Sequence, residues 1–102
     1  FGDEYETGIR RGEPDKVTAV QQAADNVDYR QDYRPKLLWS LHLVLENDVR
    51  KSGTYLDAAH QVAVAAGKAD EFRADLGQMA DDFQFFTKNR PGDWAKWMGG
   101  GE

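Results

Sequence analysis

The residues in this chain whose spacing most resembles a metal site are His42, Glu46, Asp57 and His60. On helices, His42 and Glu46 stand one turn apart, and so do Asp57 and His60. The second pair is the D-x-x-H version of a spacing used in helical-bundle metal sites. An antiparallel hairpin turning at Ser52-Gly53 would bring Glu46 level with His60, with His42 one turn deeper. Two imidazoles and a carboxylate would then meet on one seam, a donor set that suits a divalent transition metal. A di-iron site wants about four carboxylates and two histidines, and the remaining helical segments supply no matching E-x-x-H. The simpler reading of these residues is a Glu46–His60 hydrogen bond at the edge of the core, with His42 beside it. That reading is preferred, so no metal and no other cofactor is expected. A metal-binding helical enzyme or carrier using His42, Glu46 and His60 stands as the alternative.

Other chemistry finds less support. The chain has no cysteine, which removes disulfides, thiolate metal sites and thiol nucleophiles. Ser40, Ser52, Thr18, Thr54 and Thr87 carry hydroxyls, and none sits in a G-x-S-x-G elbow. Ser40 precedes His42 by two positions, and such neighbours do not face each other on a helix. Gly8 and Gly12 follow no strand and precede no Lys-Ser/Thr, so they are not a phosphate loop. Asp81-Asp82 reads as a solvated face rather than an acid/base pair. No catalytic residue is assigned.

The aromatic residues point elsewhere. Phe83, Phe85, Phe86, Trp94 and Trp97 crowd the segment DDFQFFTKNRPGDWAKWM. Phe83 and Phe86 belong to a helical stripe with Phe72, Leu76, Met79 and Ala80, which is core. Phe85 projects about 160° from the centre of that stripe, toward water. Trp94 and Trp97 are three apart and share one helix face. Two readings are open. In one, the last helix folds back, both tryptophans close the bundle and they shelter Phe85. In the other, Phe85, Trp94 and Trp97 anchor a partner, as aromatic side chains do at interface hot spots. Trp39 and Leu43 lie on the far side of their helix from its main apolar face. They form either a second partner patch or the surface that receives the last helix. A small-ligand pocket lined by Trp39, Phe72, Met79 and Phe83 is a further alternative.

These side chains need helices to place them. Residues 1–13 are polar, contain three glycines, show no sustained period and read as an extended arm. Pro14 suits a first helical position. Val17, Val20, Ala24 and Val27 then mark a helix over 14–30. Tyr29 and Tyr33 lead into Arg34-Pro35, which restarts the helix. A second helix over 35–51 is apolar on two sides, so it is central or covered by something else. Gly53 suits a left-handed C-cap. Thr54 and Asp57 open an alanine-rich helix that runs to about Ala66, with side chains small enough for close packing. Asp70 caps a fourth helix that carries the phenylalanine stripe. Asn89-Arg90-Pro91-Gly92 forms a turn, and Asp93 caps a short fifth helix. Residues 99–102 read as a flexible tail. No segment alternates like a strand, and no repeat of solenoid length is present. The fold class is therefore all-α: one domain over 14–98, a compact bundle of four helices plus a short fifth, with the arm across its surface.

At its end, Gly100-Gly101-Glu102 is similar to the Gly-Gly-Glu terminus of prokaryotic ubiquitin-like modifiers. The match covers three residues. The patterned helices upstream depart from the polar, disordered chains of that family, so the reading remains a plain tail.

The bulk composition narrows the partner class. The formal net charge is −5 over 102 residues, with signs mixed along the chain. No basic stripe offers itself to phosphates, so neither nucleic acid nor an anionic membrane surface is expected as a partner. No apolar run approaches the about 20 residues of a membrane span, and no leader is recognisable in the given chain. The expectation is a small, soluble module that binds another protein chain. It would be an accessory subunit or an immunity-type inhibitor, with Phe85, Trp94 and Trp97 as first anchors and Trp39 and Leu43 as second. The compartment is not assigned.

Overall fold

A computed structural model of the chain describes residues 1–26 and 32–99. Among these the regular structure is entirely helical, in seven segments. The fold class expected from periodicity holds, while the division into four helices plus one does not. Residues 27–31, which include Val27 and Tyr29, and residues 100–102 of the expected tail lie outside the described residues.

The first difference is at the N-terminus, where residues expected as an extended arm form helix α1, Asp3–Arg11. Asp3, Glu4 and Glu6 lie in its first turn and Arg10 and Arg11 in its last, the polarity that a helix dipole favours. Gly12 closes it at φ 69°, donating its N–H to the carbonyls of Gly8 and Ile9. This is the left-handed C-cap that glycine allows. Phe1, Tyr5 and Ile9 recur every four residues, and all three pack on the core. Helix α2, Pro14–Asp25, begins with proline as expected and buries Val20, Ala23 and Ala24. Gly8 of α1 sits so close to α2 that a Cβ there would lie 2.4 Å from Cγ of Lys16 and 2.5 Å from its Cβ.

Helix α3, Arg34–Leu45, is the centre of the molecule. It packs against α1, α2 and α4, which explains an apolar sequence on more than one face. Leu37, Leu38 and Leu41 are fully buried. Trp39 and Leu43, expected on an outer patch, are only 8% and 9% exposed. The chain itself covers that side of α3.

Helix α4 corrects a second boundary. It runs Val49–Ala65, straight through the expected stop at Ser52-Gly53. The turn falls earlier, at Glu46–Asp48, with Asn47 at φ 64°. Asp48, not Thr54, is the N-cap, and its carboxylate accepts the N–H of Lys51 at 3.3 Å. Ser52 and Gly53 are buried instead at contacts with other helices. The hydroxyls of Ser40 and Ser52 each donate to the other's backbone carbonyl, at 2.9 and 2.8 Å. A Cβ on Gly53 would lie 3.1 Å from Cε1 of Phe86 and 2.7 Å from Nη1 of Arg90. Ala59 and Ala63 are fully buried farther along the helix.

The expected fourth helix is interrupted. Helix α5 spans Ala69–Gln78 and α6 spans Gln84–Asn89. Across 79–83 the backbone bonds three residues back rather than four, as in Asp82 N–H to Met79 C=O at 2.9 Å. This tighter winding keeps the stripe pointing inward: Phe72, Leu76, Met79, Phe83 and Phe86 are all at most 2% exposed. Arg10 of α1 grips Asp82 through two bonds, of 3.0 and 2.8 Å. Helix α7, Pro91–Trp97, follows after the single residue Arg90, so Pro91 starts the helix and Asp93 sits in its first turn. No helix among the described residues is long and apolar enough to cross a membrane.

Candidate functional site

The earlier turn between α3 and α4 takes apart the His42–Glu46–His60 set. With Ser40 opposite Ser52, the hairpin pivots at Glu46, which becomes the C-cap of α3. The level opposite His42 is then near Arg50, and His60 lies ten positions farther along α4, about 15 Å at 1.5 Å per residue. His42 stacks on Trp39, with ring centroids 4.6 Å apart and planes 19° from parallel. His60 tilts against Phe72 at 5.6 Å. Among the described residues, no three His, Cys, Asp or Glu side chains are grouped to hold a metal ion.

Asp57, the fourth member of that set, has a different task. Its Oδ1 accepts from Lys96 Nζ at 2.9 Å and from Trp97 Nε1 at 3.2 Å, and its Oδ2 accepts from Gln61 Nε2 at 2.8 Å. Desolvation pushes this carboxyl's pKa up. The hydrogen bonds from Lys96, Trp97 and Gln61, with the charge of Lys96, more than offset it, and the net shift is downward. Asp57 thus holds α7 against α4 as an anion.

The three C-terminal rings have separate fates. Trp97 is 1% exposed and stands edge-on to Phe86 at 5.5 Å. Trp94 is half-buried, 6.3 Å from Phe83 and 6.5 Å from Trp97. Phe85 is 39% exposed, and among the described residues its aromatic neighbour is Phe86, with the ring planes perpendicular and the centroids 5.4 Å apart. Helix α7 does fold back, and Trp97 closes the core, but neither tryptophan ring shelters Phe85. Trp39, Phe72, Met79 and Phe83, the residues of the small-ligand alternative, are members of the packed core.

Where α7 meets α4 they leave an open cleft of about 430 Å³. Helix α4 contributes Arg50, Thr54 and Asp57 above the bare backbone of Gly53; the other wall is Arg90, Asp93, Lys96 and Trp97. Arg90 binds Asp93 Oδ2 through Nε at 2.7 Å and Nη2 at 2.6 Å. Its guanidinium carbon stands 5.4 Å from the centre of the Phe86 ring. Arg50 makes no ion pair among the described residues, and only its carbonyl is engaged, by the Thr54 hydroxyl at 3.3 Å. Sequence reasoning missed this cleft. Its walls are about 40 residues apart in the chain, as the Trp97–Asp57 bond shows, and only the α4 register brings them together. A local signal existed in the small Gly53 between Arg50 and Asp57.

Comparison with protein-family models, with curated proteins and with solved structures finds no significant match to this chain.

Proposed function

We propose that this chain is a protein-binding module whose partner seats on the α6–α7 end, with Phe85 as the exposed anchor. One observation carries the reading. Phe85 leaves more than a third of its residue surface in water, while Phe83, Phe86 and Trp97 around it in sequence are buried. Among the described residues the other large exposed apolar side chains, Leu45 at the end of α3 and Val64 near the end of α4, are aliphatic and stand singly, as surface residues commonly do. Phe85 instead packs against the buried ring of Phe86. Phe86 supports it from below, and Asn89 Nδ2 donates to its carbonyl at 3.0 Å. An aromatic anchor that is already ordered loses little entropy on binding. Half-buried Trp94 extends the same end of the fold, and Trp97 supports it from within.

The test is partner capture from the native source, comparing the wild-type chain with Phe85→Ala. The ring is partly exposed, so truncation should leave folding intact, changing stability by about 0.5 kcal/mol. As a hot spot it would be worth about 2 kcal/mol or more, roughly a 30-fold loss of affinity. A protein retained by the wild type and lost by the variant supports the reading. Equal retention by both would refute it.

A further inference from the structure

We infer that the cleft between α4 and α7 receives an acidic segment of the partner polypeptide, seating a carboxylate between Arg50, Arg90 and Lys96. The inference rests on the protein-binding reading above and names the chemistry of the partner.

The first argument is charge. The chain as a whole carries −5, yet the charged side chains lining the cleft are three cations against two carboxylates. Both carboxylates are occupied, Asp93 by Arg90 and Asp57 by Lys96. Arg50, on the same lining, makes no ion pair among the described residues. The second argument is donor geometry. Arg90 spends Nε and Nη2 on Asp93, and its Nη1 extends over Gly53 at the floor of the cleft. Lys96 gives one bond to Asp57 and has further N–H groups to offer. A guanidinium fork and an ammonium facing one space suit a carboxylate's two oxygens.

The third argument is position. Arg90 stands 5.4 Å from the Phe86 ring centre, and Phe86 stands 5.4 Å from that of Phe85. The Arg90 guanidinium at the cleft's edge and the exposed ring are therefore at most about 11 Å apart, which an extended chain covers in about three residues at 3.3 Å each. A partner segment with an acidic side chain and a large apolar one at that separation would engage both. A nucleic acid fits less well, because a polyanion needs a run of cations and meets a net-negative molecule beyond this one cleft.

The experiment is an NMR titration of the intact chain at low salt with acetyl-Glu-Glu-Ala-Leu-amide. Its uncharged counterpart acetyl-Gln-Gln-Ala-Leu-amide and inorganic phosphate serve as comparison probes. The Trp97 indole N–H is a reporter built into the cleft wall. The expected result is a saturable shift of that resonance and of amides in 50–57 and 90–97 with the Glu peptide alone. Arg50→Gln should weaken it roughly tenfold, the scale of one charge-assisted hydrogen bond, and the remote Lys68→Gln should leave it unchanged. The Arg50 side chain makes no ion pair among the described residues, so its replacement does not endanger folding. No saturable shift at millimolar peptide overturns the inference. So does equal binding of the Gln peptide, or phosphate binding as tightly as the Glu peptide. If Phe85→Ala abolishes partner capture while the Glu peptide is ignored, the cleft inference falls and the protein-binding reading stands. If the Glu peptide binds through Arg50 while Phe85→Ala captures the partner normally, Phe85 falls as the anchor and the acid-binding cleft stands.

Discussion

Trp97 joins the packing of the core to the polar wall of the cleft. Its ring fills space beside Phe86, and its N–H finds Asp57 across 40 positions of sequence, so burying the indole leaves no polar atom unpaired. Replacing it with alanine removes both contributions, and Trp97→Ala should destabilise the chain by about 3–5 kcal/mol. Trp94→Ala, at a half-buried position, should cost clearly less. Urea unfolding of the two variants checks this, and equal midpoints would contradict the division between a core ring and a surface ring. Of these residues the sequence revealed the shared helix face of Trp94 and Trp97 and the outward direction of Phe85, because both follow from 3.6-residue geometry. It did not reveal which tryptophan is buried. That depends on Asp57, and Asp57 could be placed only after the α3–α4 turn was known.

At the scale of elements, the boundaries were misread where one residue type serves two purposes. Ser52-Gly53 looks like a helix stop, but small side chains are also what a helix needs where another crosses closely. Phe86 and Arg90 are the deciding neighbours, and they are remote in sequence. Helix α1 was misread as an extended arm although its signals were in the sequence. Phe1, Tyr5 and Ile9 keep a four-residue spacing between an acidic first turn and a basic last turn, and the glycines obscured it. Gly12 is the cap, whereas Gly8 is an interior contact. Gly8→Ala would raise helix propensity by about 1 kcal/mol in an isolated helix. Here the added methyl meets the Lys16 Cβ, which cannot move without α2. We expect a net loss of about 1–3 kcal/mol, with faster hydrogen exchange in α1 than elsewhere. A stabilised variant would show that α1 is free to shift.

Over the whole molecule, long-range polar ties draw the outer segments onto the central helices. Tyr33 donates its hydroxyl to Asp75 at 2.5 Å, and Arg34 holds Asp75 at 2.9 Å and the carbonyl of Phe1 at 3.1 Å. Tyr55 of α4 donates to Asp25 at the end of α2 at 2.5 Å. Burial first, then donation to a carboxylate and its charge, raise both phenols well above the ordinary tyrosine value, Tyr55 to about 12. The folded state therefore keeps protons that the unfolded chain releases near the ordinary tyrosine value of about 10. The stability these two groups contribute is complete below that value and lost as pH rises through the folded pKa. Phenolate absorbance followed together with circular dichroism should show Tyr33 and Tyr55 titrating late, and folding weakening over the same alkaline range. Titration of Tyr33 and Tyr55 near 10 with the helices intact would contradict the two ties.

The paired hydroxyls of Ser40 and Ser52 bear on how this sequence can drift over time. Each is fully buried and uses the other's backbone carbonyl. A lone change to a larger side chain at either position meets a wall, and a slip of the hairpin by one residue strands a hydroxyl in an apolar seam, a penalty of about 1–3 kcal/mol. Descendants of this chain that keep the fold should therefore hold positions 40 and 52 to side chains no larger than serine, and an alanine at either one leaves the other hydroxyl its backbone acceptor.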